Sequence, residues 1–272
     1  MNLLLLKRRK SMFLQQIIQG LAIGSIYGLV ALGYVLIWNT WGVLNFSQGD
    51  TAMIGAFFIL IFYVWLKIPF VLAFVLSIAA SMAVAYIIER IAFRPLLKAD
   101  DISKLIATIG IGIFLENLYR VIFGADPIPF PSVFGANSMK LGSVLLVPQN
   151  LWILIIGFTL VIILRLFLTK TYMGKSMRAT AQDKEAALLM GVSVKSTMSL
   201  TFAMACGIGA VAGILIAPIF FITSDMGVMI GLKGFAAAVF GGIESMTGAM
   251  FGGIVLGIAE NLGAAYISSK YQ

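Results

Sequence analysis

The sequence predicts an all-α, polytopic membrane protein of about eight transmembrane helices. Hydrophobic residues make up 61% of the 272-residue chain and charged ones 11%, against about 45–50% and about 25% in a water-soluble domain. Mean hydropathy is +1.04. Mostly apolar segments of roughly 17–25 residues, each long enough to cross the hydrocarbon core as a helix, recur along the whole length. The alternation of apolar and polar residues in units of about ten that a membrane barrel requires is not seen.

The first span is expected over 13–38. Leu3 to Leu6 precede the basic cluster Lys7 to Lys10, the reverse of the order in a cleaved signal peptide, so this span is expected to stay in the mature protein. Further spans are expected over 49–66, 70–91, 104–123, 150–169, 198–222, 230–243 and 248–268, all within a single domain covering 1–272. The loop 90–104 holds Arg90, Arg94, Lys98 and Lys104, and 165–197 holds Arg165, Lys170, Lys175, Arg178, Lys184 and Lys195. Both are expected on the cytoplasmic side. The segment 124–149, with Pro127, Pro129, Pro131, Pro148 and only Lys140, reads as an external loop.

Counting three spans back from a cytoplasmic 92–103 places the N-terminus outside, although Lys7 to Lys10 argue for inside. Internal symmetry bears on the conflict. Gly24, Gly28, Gly42 and Gly49 each have a glycine 185 positions later, at Gly209, Gly213, Gly227 and Gly234, and Ile23, Ile37 and Val43 match Ile208, Ile222 and Val228 in the same way. As a hypothesis, the chain contains two related halves whose starts are separated by an odd number of spans. They would then run in opposite directions, as an inverted repeat. That relation favours three full early spans and an external N-terminus.

Several function classes are disfavoured by composition. The net charge of +8 comes from short loops between spans and reads as a topology signal rather than a nucleic-acid surface. One cysteine, Cys206, and no histidine exclude a disulfide framework, argue against zinc or haem ligation, and remove the usual general base. No catalytic or metal-binding residue is assigned, and no cofactor. Glycines at four-residue spacing, such as Gly20, Gly24 and Gly28, read as close helix packing. Met173-Gly174-Lys175-Ser176 contains the GKS of a phosphate loop, but Thr169 stands where the first glycine is needed and a membrane span precedes it.

Two stretches carry chemistry. Between the first spans, Asn45, Ser47, Gln48 and Asp50 crowd polar groups beside Gly42 and Gly49. Polar backbone survives at membrane depth only inside protein or beside a watery cavity, so a broken helix lining a translocation path is expected, with Asp50 capping a helix N-terminus. Glu116 and Asn117 in the fourth span and Glu260 and Asn261 in the eighth are further path candidates, because an ionisable group at mid-bilayer is costly. Glu116 with Arg120 also reads as a plain i,i+4 pair. In the second basic loop, Thr180 and Asp183 resemble a capping box, helix formers follow, and Gly191 suits the position after a helix end. A short helix of about ten residues is expected there, with small side chains that let another protein approach.

Glu185-Ala186-Ala187 followed by Gly191 resembles the EAA-x-x-x-G loop of permeases in ABC importers, whose coupling helix fits a groove on a cytoplasmic ATPase. Tyr172 to Ala179, Gly42 to Asp50, Ile88 to Pro95 and Gly248 to Glu260 are similar to the branched-chain amino acid permeases of that class, in particular the shorter of their two permease subunits. The resemblance implies a coupling helix within 179–191, with Ala179, Asp183, Glu185, Ala186, Ala187 and Gly191 as contact residues. It also implies a second permease subunit, two ATPase subunits that bind ATP and Mg, an external binding protein, and a bacterial or archaeal cytoplasmic membrane. The expected cargo is leucine, isoleucine or valine, with urea, short amides or another small polar solute as the alternative. A stand-alone secondary transporter would suit the repeat but leaves the cytosolic helix unexplained, and an intramembrane enzyme lacks the needed residues. Two departures stand out: Glu244 replaces a small residue, and the further apolar helix expected after Tyr266 to Gln272 is not in the sequence.

Overall fold

The computed structural model describes residues 2–133, 135, 139–141 and 144–266. Its helices are α1 (Asn2–Trp41), α2 (Asp50–Ile59), α3 (Phe70–Ile88), α4 (Asp101–Phe123), α5 (Pro148–Lys170), α6 (Tyr172–Gln182), α7 (Lys184–Leu189), α8 (Val194–Ile216), α9 (Met226–Gly241) and α10 (Met246–Tyr266). π-helical turns extend α2 to Trp65 and α3 to Phe93, and a 3-10 turn carries α3 on to Lys98. Among the described residues, seven helices are long and apolar enough to span a membrane, and α9 is a shorter apolar helix. The predicted eighth span ends at 268, but 267–272 lie outside the described residues. Strands β1 (Met139–Leu141) and β2 (Val144–Leu146) form a small antiparallel hairpin in the proline-rich connection.

Contacts at helix ends fix the directions. At one face, which we call inner after the lysines and arginines of α6 and its neighbours, Lys184 of α7 donates to the carbonyl of Trp41 at 3.0 Å. Asn39 there donates to the carbonyl of Glu244 at 3.2 Å. Trp41 also packs against the rings of Phe93 and Phe202. At the opposite, outer face, Ile128 pairs with Ile222 through backbone hydrogen bonds, and Phe13 meets Tyr266. The described start of α1 and the end of α10 therefore lie opposite α7. Three long helical segments, α1, α2 with its π-helical turn, and α3, precede the first basic loop, so the described start of α1 lies at the face opposite that loop.

The helix groups α1-α2-α3 and α8-α9-α10, which correspond to the two halves the sequence suggests, run in opposite senses. Each first helix packs on the other half: α1 against α8, α9 and α10, and α8 against α1, α2 and α3. The core sits where they cross, in α1, α2 and α8, while α3, α4 and α5 expose most of their apolar length. Lipid drives little helix association, so the seams use small residues. A Cβ on Gly20 or Gly24 would lie 2.8 Å from the α10 backbone. At the inner end of α3, Ser199 of α8 donates to the buried Glu89 at 2.6 Å and accepts from Arg94 at 2.6 Å. That network pins the turn after α3 to α8.

Candidate functional site

Three places gather the polar groups. At the inner end, α1 stops at Trp41 because Gly42 turns the chain with φ +78°, a conformation that suits a residue without Cβ. A single 3-10 turn, Phe46–Gln48, then runs into α2. This turn tucks back into the bundle: the Gln48 amide nitrogen donates to the carbonyl of Ala205 at 3.0 Å and lies against Gly33. Gly33 is eight residues, or about 12 Å of helix rise, from the end of α1. Asn45, Ser47, Gln48 and Asp50 are all buried. Ser47 donates to Asn45 Oδ1 at 2.7 Å, Thr51 to the Gln48 carbonyl at 2.6 Å, and the Phe46 amide to Thr108 at 3.1 Å. Gln48 Oε1 has no partner among the described residues. Beside it lies a cavity of about 20 Å³ lined in part by Asn45, Ser47 and Thr51, large enough for one water.

Asp50 departs from the expected role. The N-cap of α2 is Gly49, already helical at φ −62° and ψ −36°, and no side chain bonds there. Because the 3-10 turn leads straight into α2, no extended residue precedes it to act as a side-chain cap. Asp50 instead opens the first turn, where a negative charge still suits the helix dipole. Its carboxylate lies between Gly112 of α4 and Gly227 of α9. Glu116 pairs with Arg120 at 2.6 Å, and Arg120 also donates to Ser224 at 3.4 Å. Asn117 is exposed on α4 and bonds only its own helix, at the carbonyl of Ile113.

The second place is nearer the outer face. Glu260 and Asn261 of α10 are not joined to the Gln48 turn. They line a separate cavity of about 460 Å³ with Tyr27 of α1, Lys233 of α9, and apolar residues from the 217–225 connection and α9. Lys233 forms an ion pair with Glu260 and donates to Tyr27 Oη at 3.1 Å. Asn261 donates to the carbonyl of Gly257. Lys233 and Tyr27 were not among the expected site residues. A lone lysine inside an apolar helix is itself a signal, since such a group needs a partner in the membrane; Tyr27 carries no comparable signal.

The third place is the inner knob. The expected helix of about ten residues is instead the end of α6 plus the six-residue α7, and Thr180 is buried inside α6. Asp183 is the N-cap, accepting from the amides of Glu185 at 2.9 Å and Ala186 at 3.0 Å. Gly191, at φ +81°, ends α7: its amide donates to Leu188 and that of Val192 to Ala187, the Schellman pattern. Ala187 is buried, so it is no contact residue for another protein, and Ala179 is half-buried. What the knob presents is Asp183, Glu185, Ala186 and Gly191 together with Leu188, Leu189 and Met190, the last two 88% and 84% exposed. Burial first and Lys104 second hold the Lys184 ammonium below the ordinary lysine range. Met173 to Ser176 lie within α6, so their amides serve a helix rather than a phosphate.

A family model described as the permease component of branched-chain amino acid transport systems matches residues 16–272. The high-affinity branched-chain amino acid transport system permease protein LivH of Escherichia coli (strain K12) is 35% identical, over 96% of this chain and 89% of its own length. BraD of Pseudomonas aeruginosa, carrying the same description, is 34% identical over the same shares. The probable LivH of Methanocaldococcus jannaschii is 29% identical, over 94% of this chain and 83% of its own. No solved structure matches.

Proposed function

The chain belongs to the family of branched-chain amino acid transport permeases, and from that premise we propose that it is a membrane-spanning permease subunit of an ATP-driven importer of leucine, isoleucine and valine. The observation that carries this is the similarity to LivH and BraD over almost the whole chain. In this reading the chain binds no nucleotide. Two ATPase subunits hold ATP and Mg, a second permease completes the pore, and an external protein delivers the solute.

The knob supports the division of labour. Leu188, Leu189 and Met190 project from a capped, rigid end at the inner face, and exposed apolar side chains on a polar surface favour a protein partner. Closure of the ATPases on ATP would displace α7, and the two permeases would rock between inward and outward access. The turn at Asn45, Ser47, Gln48 and Asp50 lies one hydrogen bond from α7, through Lys184 and Trp41. It would act as the inner gate, with Asn45, Ser47 and Gln48 as neutral groups that can exchange hydrogen bonds with a passing zwitterion.

Affinity purification of the tagged chain from its native membrane, followed by uptake of labelled leucine and urea into vesicles holding the purified assembly, tests the proposal. Co-purified ATPase and second permease with ATP-dependent leucine uptake are expected. Full-rate transport by the isolated chain without ATP would overturn it.

A further inference from the structure

We propose that the outer cavity is a binding site for the solute in its zwitterionic form, with the Lys233–Glu260 pair as the element that recognises both charges of an α-amino acid. The inference rests on the importer reading above and adds to it where, and by which groups, the cargo is held.

Four observations converge. The cavity is framed by α1, α9, α10, the end of α8 and the 217–225 connection and is open on one side, about 460 Å³ in volume, within the range of small-molecule pockets. Its depth is set by α9: Met226 stands at the outer end, and Lys233 is seven residues, or about 10 Å, further in. The charged groups are confined to one end, where Lys233, Glu260 and Tyr27 meet, with Thr223 as a polar group at the other. The walls are apolar, with Met226, Met229 and Ile230 among them. An amphiphilic solute with two opposite charges at one end and a branched hydrocarbon at the other has the same layout.

Charge balance narrows the class. An ion pair inside a low-dielectric bundle is neutral as a unit, and breaking it leaves each ion in need of a counter-charge. A zwitterion supplies both at once: its carboxylate faces the Lys233 ammonium and its ammonium the Glu260 carboxylate, while Tyr27, relieved of the lysine, turns its hydroxyl proton to the ligand carboxylate. The pocket is neutral before and after. A fatty acid or an amine would leave one protein charge unmatched and is excluded by the same term. The methionines lining the wall are unbranched and adapt to differently shaped side chains, which fits a site accepting several aliphatic amino acids.

The test uses the complete transporter in proteoliposomes with ATP, reading uptake of labelled leucine against concentration. In the purified permease–ATPase assembly without the external binding protein, bound labelled leucine is displaced by unlabelled leucine, whereas 4-methylpentanoate, which lacks the ammonium, and 3-methylbutylamine, which lacks the carboxylate, do not displace it. Lys233→Met and Glu260→Gln each raise KM about tenfold or more, the scale of a lost charge-assisted hydrogen bond. The decisive variant is the double Lys233→Met/Glu260→Gln, which restores neutrality and packing. A purely structural pair predicts recovery of wild-type KM in the double variant; recognition of the zwitterion predicts that the loss persists. Tyr27→Phe, which keeps the ring, and Met229→Trp, which fills the cavity from an exposed wall, guard against poor assembly of the charge variants, and both are expected to raise KM. Leucine uptake with unchanged KM in the double variant, or in Tyr27→Phe and Met229→Trp together, overturns the site while leaving the importer reading intact. A wild-type transporter that takes up no branched-chain amino acid overturns the importer reading and the site with it.

Discussion

The polar turn at Gln48 and the ion pair at Lys233 occupy related positions in the two inverted halves, one beside the connection after α1 and the other beyond the connection after α8. Their physics differs. The inner turn, up to Asp50, is built of neutral groups, and its amides and hydroxyls largely satisfy one another within a few residues: Ser47 donates to Asn45 Oδ1, Thr51 to the Gln48 carbonyl, and the Gln48 amide to the carbonyl of Ala205, which leaves Gln48 Oε1 without a partner among the described residues. The outer pair is charged, and it keeps an aperture. Full burial of two ions costs several kcal/mol each before their attraction is counted, and Lys233 retains 29% of its side-chain surface. In this arrangement the inner turn leaves about 20 Å³ and the outer pair lines about 460 Å³.

The comparison can be broken most severely at the sealed junction. A Cβ on Gly49 would run into the backbone of Gly227 and Gly231 of α9, so Gly49→Val should leave little assembled protein in the membrane. Gly110 of α4 meets nothing within 4 Å, and Gly110→Val should keep wild-type levels on quantitative blotting. Equal levels for the two would refute the packing described. Next in size, Asn45→Ala and Asp50→Ala should cut uptake about tenfold at normal membrane levels if the inner turn is a gate. Normal transport by both removes the turn from the path.

Smaller effects sharpen the contrast. Gln48→Leu is close in shape but removes the side-chain bond to the Ala205 carbonyl, which keeps its partner within α8, and should lower stability by about 0.5–1.5 kcal/mol, seen as a lower Tm in detergent. An unchanged Tm would mean the amide contributes nothing to the seal. At the knob, Leu189→Ser with Met190→Ser should reduce co-purification of the ATPase several-fold while Tm stays put, since exposed positions away from buried contacts change stability by about 0.5 kcal/mol or less. The smallest effect concerns Asp100, at the N-terminus of α4. The Ser103 hydroxyl and amide hold its carboxyl below the ordinary range. Its contribution is present above that range and is lost as pH falls through the lowered value; Ser103→Ala, which keeps the backbone amide bond, should shrink this acid-dependent component in a pH series of Tm.

How far the residues alone disclose this molecule varies with the kind of signal. Spans were legible to within a few residues because a long apolar run has few alternatives in lipid. The sequence places the end of α8 late, at 222 rather than Ile216, since Ala217 to Ile222 are as apolar as the helix, and the start of α9 late, at 230 rather than Met226. The knob was found, but its start was not: Thr180 and Asp183 are both good caps, and α6 continues past Thr180 to Gln182. Ala187 looked available because it is small, whereas the inner side of so brief a helix must rest on the body. Grouping was the least visible property. Asn45 and Glu260 are equally plausible path residues in one dimension, and only the crossing of α1, α2, α8, α9 and α10 assigns them to different chambers.

The bond from Lys184 to the last carbonyl of α1 ties the knob to the chain one residue before the Gly42 kink. In the importer reading, a displacement of α7 would reach that kink through one flexible side chain, so the length of a single lysine would set how much of it arrives.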